Sequence, residues 1–102
     1  MGERKDIYFT VTGIFRFEDT EFMKAGLPVT LEKEPDNKFD HEAIKVMMPG
    51  IGQIGYVANS IHTVVGKEAF SAGRLYDKIG DTAAAVILYN MGNALQCRLT
   101  ED

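Results

Sequence analysis

The sequence is poor in cysteine, proline and tryptophan. It holds one cysteine, three prolines and no tryptophan among 102 residues. A lone cysteine excludes an intramolecular disulfide, which fits the reducing conditions of the cytoplasm. No apolar run is long enough to span a membrane, and the charged N-terminus does not have the pattern of a signal peptide. We therefore expect a cytoplasmic protein without a membrane partner.

Positive charge is also scarce, with 11 lysines and arginines against 15 acidic residues and a formal net charge of −4. Broad, sequence-independent DNA binding needs a basic face, which this balance argues against. This composition is still compatible with a small positive pocket on an acidic protein. The hydrophobic content of 45% and the charged content of 25% are those of a globular protein. The length predicts one domain over residues 1–102 with one modest core.

Short alternating segments predict a mainly β protein. Residues 7–17 alternate with an apolar face at the odd positions, and Gly13 marks a bend or bulge within them. Further strands are predicted over residues 29–33, 43–48, 53–57, 83–89 and 95–99. Cys97 falls on the apolar face of the last strand, so we predict a buried, unreactive thiol.

The rest of the chain has weaker patterns. A helix is predicted to begin at Asn59 or Ser60, and residues 70–80 are expected to form a short strand or an extended cover. The tail after Leu99 is expected to fray. Five or six strands with one helical insert predict a small closed or half-closed β-barrel with one or two short helices.

Catalytic and metal-binding constellations are not evident. The cysteine and the two histidines lack the spacing of a zinc site. Asp36, Asp40 and Glu42 lack the pattern of a calcium loop, and turn-forming, solvent-facing carboxylates are the simpler interpretation. A glycine spacing at residues 50–55 matches a dinucleotide motif but lies in a predicted hairpin turn. We therefore expect a binding module without a cofactor, not an enzyme.

The most specific segment is the polar connection at residues 35–42. Pro35 ends the preceding strand, Asn37 favours a turn, and an aromatic, Phe39, is followed at once by a carboxylate, Asp40. Exposed aromatic and acceptor groups on a loop are typical of recognition. Two alternatives stay open: Phe39 either faces a ligand or plugs the end of the barrel, and Asp40 either accepts a hydrogen bond from a ligand or caps its own turn.

Other residues could complete a platform for a single strand, because bases stack on aromatic rings and phosphates attract cations. Phe15 and Phe17 flank Arg16, although both rings share the apolar face of the strand and a core role is favoured. Tyr56 is expected to be half-buried with its hydroxyl at the rim. His62, on the predicted first helical turn, either meets a phosphate or is solvated.

A longer pattern resembles the HIRAN domain family. It comprises Val29-x-Leu31-x-x-Glu34-Pro35-x-Asn37-x-Phe39-Asp40-x-x-Ala43-Ile44-x-Val46, followed by Ile54-Gly55-Tyr56-Val57. The resemblance implies a β-barrel related to the OB-fold or SH3-like barrels. Members occur fused to SWI/SNF-type helicases, including the helicase-like transcription factor, and as free-standing bacterial or phage-associated proteins. At 102 residues this chain would be of the free-standing kind.

The resemblance also implies roles for individual residues. Phe39 stands where the family has an aromatic that stacks on a terminal base, and Asp40 where a carboxylate accepts from the terminal 3′-hydroxyl. The segment 15–17 stands where the family has a basic–aromatic pair. Tyr56 and Asn59 fall where DNA-binding members carry a histidine and a lysine, which removes two cations from the phosphate side.

The predicted function is therefore recognition of single-stranded DNA ends in repair or replication-fork processing. The expected partners are single-stranded DNA and, by analogy with the family's fusions, a helicase or another repair protein. The alternative is an acidic protein-interaction or structural barrel that has lost DNA binding, which the net charge of −4 favours.

Overall fold

The computed structural model describes residues 6–14, 19–59 and 69–101. Over these ranges the chain forms seven strands and one short helix. In chain order they are β1 (Tyr8–Thr12), β2 (Pro28–Glu34), β3 (Ala43–Met48), β4 (Gly52–Val57), β5 (Ala69–Phe70), α1 (Ala72–Tyr76), β6 (Thr82–Asn90) and β7 (Leu95–Glu101). No helix among the described residues has the length and apolar character needed to cross a membrane.

The strands form one sheet that closes on itself. Their order is β4-β3-β2-β6-β7-β1-β5, and β4 also pairs with β1, so six strands make a closed barrel and β5 lies parallel to β1 outside the ring. All pairings within the ring are antiparallel. The predicted fold class, a mainly β barrel with few short helices, is confirmed.

The core follows the alternation read in the sequence. In β3 the side chains of Ile44, Val46 and Met48 point into the barrel, as predicted, and are at most 6% exposed. The thiol of Cys97 is buried among the same core residues, and burial raises its pKa to about 12.

The barrel closes through a narrow contact between β1 and β4. Val11 pairs with Val57 and Thr12 with Tyr56. Immediately after β1, Gly13 has a φ of 85°, a conformation that glycine adopts without steric cost, and it ends the strand there. The strand predicted over residues 7–17 is thus interrupted at Gly13, where a bend or bulge was expected, and its predicted part over residues 15–17 lies outside the described residues.

Two expectations for the C-terminal third are wrong. Residues 72–76 form a helix, not a strand, because the Ser71 hydroxyl accepts from the backbone N–H of Arg74 at 3.4 Å and caps its first turn. The tail is not frayed after Leu99, since β7 continues to Glu101, which pairs with Ala84 of β6. The helix predicted from Asn59 or Ser60 falls on residues 60–68, outside the described part of the chain.

Candidate nucleic-acid interface

The loop between β2 and β3 is organised by the side chain of Asn37. Its Oδ1 atom accepts from the backbone N–H of Phe39 at 2.9 Å and of Asp40 at 3.0 Å. Its own backbone N–H donates to the carbonyl oxygen of Glu34 at 3.0 Å. An asparagine that bonds the backbone two and three residues onward makes a compact turn. The turn fixes where the ring of Phe39 and the carboxylate of Asp40 leave the backbone.

Asp40 is half-buried and bound at both carboxylate oxygens. Oδ1 accepts from the backbone N–H of Glu42 at 2.9 Å, and Oδ2 accepts from the side-chain amide of Asn59 at 3.0 Å. The predicted turn-capping role of Asp40 is therefore present. This role does not use the full accepting capacity of the carboxylate, because a carboxylate offers about four lone-pair positions and these two bonds occupy two of them.

The ring of Phe39 projects into solvent and is 96% exposed. It covers no part of the barrel end, so the alternative in which it acts as a plug is wrong. With Asp40 and Tyr56 it lines an open groove of about 410 Å³, whose remaining walls are Asn37, Ala43 and Val57. The loop thus presents an aromatic face and an acceptor to the same space.

Tyr56 is half-buried, as expected, and its hydroxyl is engaged. It donates to Oε1 of Glu34 at 2.9 Å, and the side-chain amide of Asn37 donates to the same atom at 3.0 Å. The pKa of Glu34 is lowered chiefly by the hydrogen bond from Asn37, with smaller contributions from Tyr56 and from the ammonium group of Lys45, partly opposed by burial. Glu34 therefore stays ionised at neutral pH.

Asn59 connects the loop to the helix. Its amide nitrogen donates to Asp40, and its Oδ1 atom accepts from the backbone N–H of Gly73, in the first turn of α1, at 2.9 Å. Both ends of the amide are thus used within the protein. At the position where the resemblance implies a lysine, this chain has a residue that orients the carboxylate of Asp40.

Two lysines near this loop, Lys33 and Lys45, have partners inside the protein. Lys45 lies 3.4 Å from Oε1 of Glu32 and 3.9 Å from Oε2 of Glu34. Lys33 donates to the carbonyl oxygen of Ile79 at 2.8 Å, and its ammonium group lies 4.3 Å from the ring centroid of Tyr76. Lys38, between Asn37 and Phe39, is exposed on the loop itself and remains available to a phosphate. Positive charge beside the groove is therefore limited in the described part of the chain.

The structure brings together half of the predicted site residues. Phe39, Asp40 and Tyr56 line the groove, and Asn59 donates a hydrogen bond to Asp40. The remaining candidates lie outside the described residues; they are Phe15, Arg16, Phe17 and His62. The roles of all eight in DNA binding stay predictions.

Sequence reasoning assigned no role to Glu34 beyond the end of a strand. Its carboxylate is nevertheless the shared acceptor for the side chains of Asn37 and Tyr56. The available signal was the Glu34-Pro35-x-Asn37 spacing, because an acidic residue three positions before a turn asparagine can accept from its amide.

Comparison with known proteins decides the family. The sequence model of the HIRAN domain matches residues 5–100. The chain belongs to the HIRAN domain family. HIRAN domains are known as DNA-binding modules, so the family membership supports a nucleic-acid partner.

A solved HIRAN domain has the same fold. The crystal structure of the HIRAN domain of human HLTF superposes with a TM-score of 0.57 and 18% sequence identity, over 92% of this chain and 74% of that one. At this identity the likeness establishes the architecture. No curated protein sequence matches the chain.

Proposed function

We propose that this HIRAN domain binds single-stranded DNA at a free 3′-hydroxyl end. The observation that carries the proposal is the Asp40 carboxylate beside the exposed ring of Phe39 on one open groove. A terminal nucleoside would supply both complementary groups, a base for the ring and a hydroxyl for the carboxylate.

The ring of Phe39 is suited to stacking because it is already out of contact with the core. Stacking one base on an aromatic side chain is worth ~1–3 kcal/mol and is tolerant of sequence. Since the ring is 96% exposed in the free protein, stacking would remove apolar surface from water without disturbing the barrel. The backbone of Phe39 is held by Asn37, so the loop loses little conformational freedom on binding.

The carboxylate of Asp40 is suited to a hydroxyl and unsuited to a phosphate. A charge-assisted hydrogen bond from a hydroxyl to a carboxylate contributes ~1.5–3 kcal/mol. A 3′-phosphate would place negative charge against negative charge at the same position. The bonds from Glu42 and Asn59 fix the orientation of the carboxylate, which strengthens this discrimination.

Fluorescence anisotropy with matched oligonucleotides tests the proposal. A 5′-labelled single strand ending in a 3′-hydroxyl is expected to bind at least about tenfold more tightly than the same strand ending in a 3′-phosphate. This difference corresponds to the loss of one charge-assisted hydrogen bond. A duplex with blunt ends is expected to bind weakly, because its terminal base is paired and stacked. Equal affinity for the two single strands would overturn the proposal.

Two variants refine the experiment. Asp40→Asn removes the charge but keeps the shape, and it is expected to abolish the preference for the 3′-hydroxyl. Tyr89→Ala removes an aromatic ring that is 66% exposed and belongs to β6, away from the groove residues. It is expected to leave both affinities unchanged.

The second candidate function is an acidic protein-interaction barrel. Its supporting observations are the net charge of −4 and the internal partners of Lys33 and Lys45. Absence of binding to every oligonucleotide by a folded sample would favour it.

We also propose that the domain acts in DNA repair or replication-fork processing, beside a helicase or another repair protein, in the reducing cytoplasm. Free 3′ ends are the structures that such processes expose. As a binding module it would leave its ligand chemically intact. Incubation with Mg²⁺ and a labelled strand, followed by electrophoresis, is expected to show no cleavage or extension.

A further inference from the structure

We infer that Glu34 is a positioning residue for the loop that presents Phe39 and Asp40, and that the hydroxyl of Tyr56 acts through it. The binding consequence of this inference rests on the proposed function, whereas its structural part does not. The observation is a continuous path of hydrogen bonds that leads from β4, through the end of β2, to the two site residues.

The path passes through Oε1 of Glu34, which accepts from the Tyr56 hydroxyl at 2.9 Å and from the Asn37 amide at 3.0 Å. Because Asn37 donates from its nitrogen, its oxygen must point the other way, toward the N–H groups of Phe39 and Asp40. Glu34 thereby selects one orientation of the Asn37 amide. The reversed orientation would set the NH₂ group against two backbone donors.

Tyr56 joins the path from β4. Its ring lines the groove, and its hydroxyl holds the same carboxylate oxygen as Asn37. A protonated histidine at this position would add a cation to the groove, whereas tyrosine adds an uncharged ring and a donor. The structure therefore assigns to Tyr56 a positioning contribution besides that of a contact surface.

The charge of Glu34 matters to this path. The charged and titratable groups that face it among the described residues are Lys45 of β3, Glu32 of β2 and Tyr56 of β4. As an ionised group, Glu34 is an acceptor only and matches two donors and an ammonium group. The folded pKa lies below the ordinary value of 4.5, so the stabilisation is complete above that value and is lost as pH falls through the folded pKa.

The first test needs no ligand. Amide hydrogen exchange and ¹⁵N shifts of Phe39 and Asp40 are measured in the wild type, Glu34→Ala, Glu34→Gln and Tyr56→Phe. In Glu34→Ala both amides are expected to lose protection about tenfold, because the Asn37 amide is free to turn. Glu34→Gln, which keeps an acceptor oxygen, is expected to restore most of it, and Tyr56→Phe to lie between. Unchanged amides in Glu34→Ala would overturn the inference.

The chain supplies a matched control in Glu32. It lies on the same strand and contacts the same Lys45, at 3.4 Å, but no bond joins it to Asn37 or Tyr56 among the described contacts. Glu32→Ala makes the same change of charge near the groove. It is expected to leave the loop amides unchanged.

Binding measurements distinguish a positioning role of Glu34 from an effect of its charge, because the two predict changes in affinity of opposite sign. Loss of a negative charge strengthens the attraction of a DNA strand, so Glu32→Ala is expected to bind the 3′-hydroxyl oligonucleotide equally well or slightly better. Glu34→Ala is expected to bind about tenfold more weakly despite the same charge change. Equal effects of the two substitutions would overturn the inference. If the wild type binds no oligonucleotide, the proposed function fails and the amide measurements still decide the role of Glu34.

Discussion

One asparagine side chain determines the geometry of the candidate site. Asn37 bonds the backbone of the next aromatic and the next carboxylate, so the positions of Phe39 and Asp40 depend on each other. Such short-range bonds form without help from distant strands. The two functional groups therefore have separate chemical roles but a common support.

Phe39→Ala separates affinity from stability. Since the ring is 96% exposed, its removal is expected to change the free energy of unfolding by less than about 0.5 kcal/mol. The loss of base stacking is expected to weaken oligonucleotide binding by ~1–3 kcal/mol, or about 5- to 150-fold. Urea unfolding and anisotropy titration measure the two quantities. A variant that unfolds at much lower urea concentration would show that the ring packs in solution.

Cys97 gives a prediction about the reactivity of its thiol. Burial raises the pKa of its thiol to about 12, so the reactive thiolate is nearly absent at neutral pH in the folded protein. A thiol reagent such as Ellman's is expected to react only at the rate at which the barrel opens. Reaction in denaturant is expected to be immediate and to give one thiol per chain. Rapid labelling of the native protein would place Cys97 at the surface.

At the scale of elements, the closure of the barrel depends on a glycine in β4. A Cβ atom at Gly55 would overlap the carbonyl oxygen of Thr12 and lie 3.1 Å from Cγ1 of Val11, both on β1. The backbones of the two strands can approach only because the side chain is absent. Gly55 belongs to the Ile54–Val57 portion of the family pattern, where its role in packing was not apparent from sequence.

Gly55→Ala is therefore expected to destabilise the fold by about 1–3 kcal/mol or more through overpacking. Gly73→Ala is the control, because its Cβ would lie 2.8 Å from the flexible end of the Glu42 side chain and alanine favours the helix. It is expected to stay within about 1 kcal/mol of the wild type. Thermal unfolding compares the two, and equal losses would refute the packing explanation.

The strands that sequence predicts well are those with local pairing. Residues 43–48 and 53–57 match β3 and β4 closely because alternation and an intervening turn determine both. Helix α1 was missed because five residues carry too little periodicity, and its stability comes from the cap at Ser71 and the buried Leu75. The β1–β4 contact could not be predicted, since it joins residues that are distant in sequence.

The candidate site also has one part that the sequence predicts and another part that depends on the folded chain. The exposure of Phe39 and the turn bonds of Asp40 follow from the residues of the loop itself. The contacts of Tyr56 with Glu34 and of Asn59 with Asp40 depend on where β4 and the residues after it lie relative to the loop in the folded barrel. Only the folded chain reveals that these side chains support the loop.

At the scale of the whole molecule, charge limits how a DNA strand can be held. The net charge is −4, and two of the lysines near the loop, Lys33 and Lys45, are engaged inside the protein. Long-range attraction of a polyanion is therefore weak. Affinity has to come from the terminal nucleoside, not from the length of the strand.

The dependence on salt is accordingly expected to be shallow. Each phosphate neutralised on a single strand contributes a slope of about −0.7 to the plot of log affinity against log salt concentration. With one or two phosphates engaged, affinity is expected to fall only about 3- to 7-fold between about 50 and 200 mM salt. Titrations at several salt concentrations measure the slope. A loss of about a thousandfold would indicate a basic face elsewhere on the molecule.

The seam between β1 and β4 has a consequence for folding. Tyr56 and Val57 form the closing pairs with β1, and the same two residues line the groove. Contacts between distant segments carry the largest loop-closure cost and tend to form late. An intermediate with the β3–β4 hairpin but an open seam would keep these two residues without the β1 pairing that fixes their position. A DNA end that binds the groove only in the closed barrel would shift the equilibrium toward that state, and the apparent stability of the protein would rise by mass action.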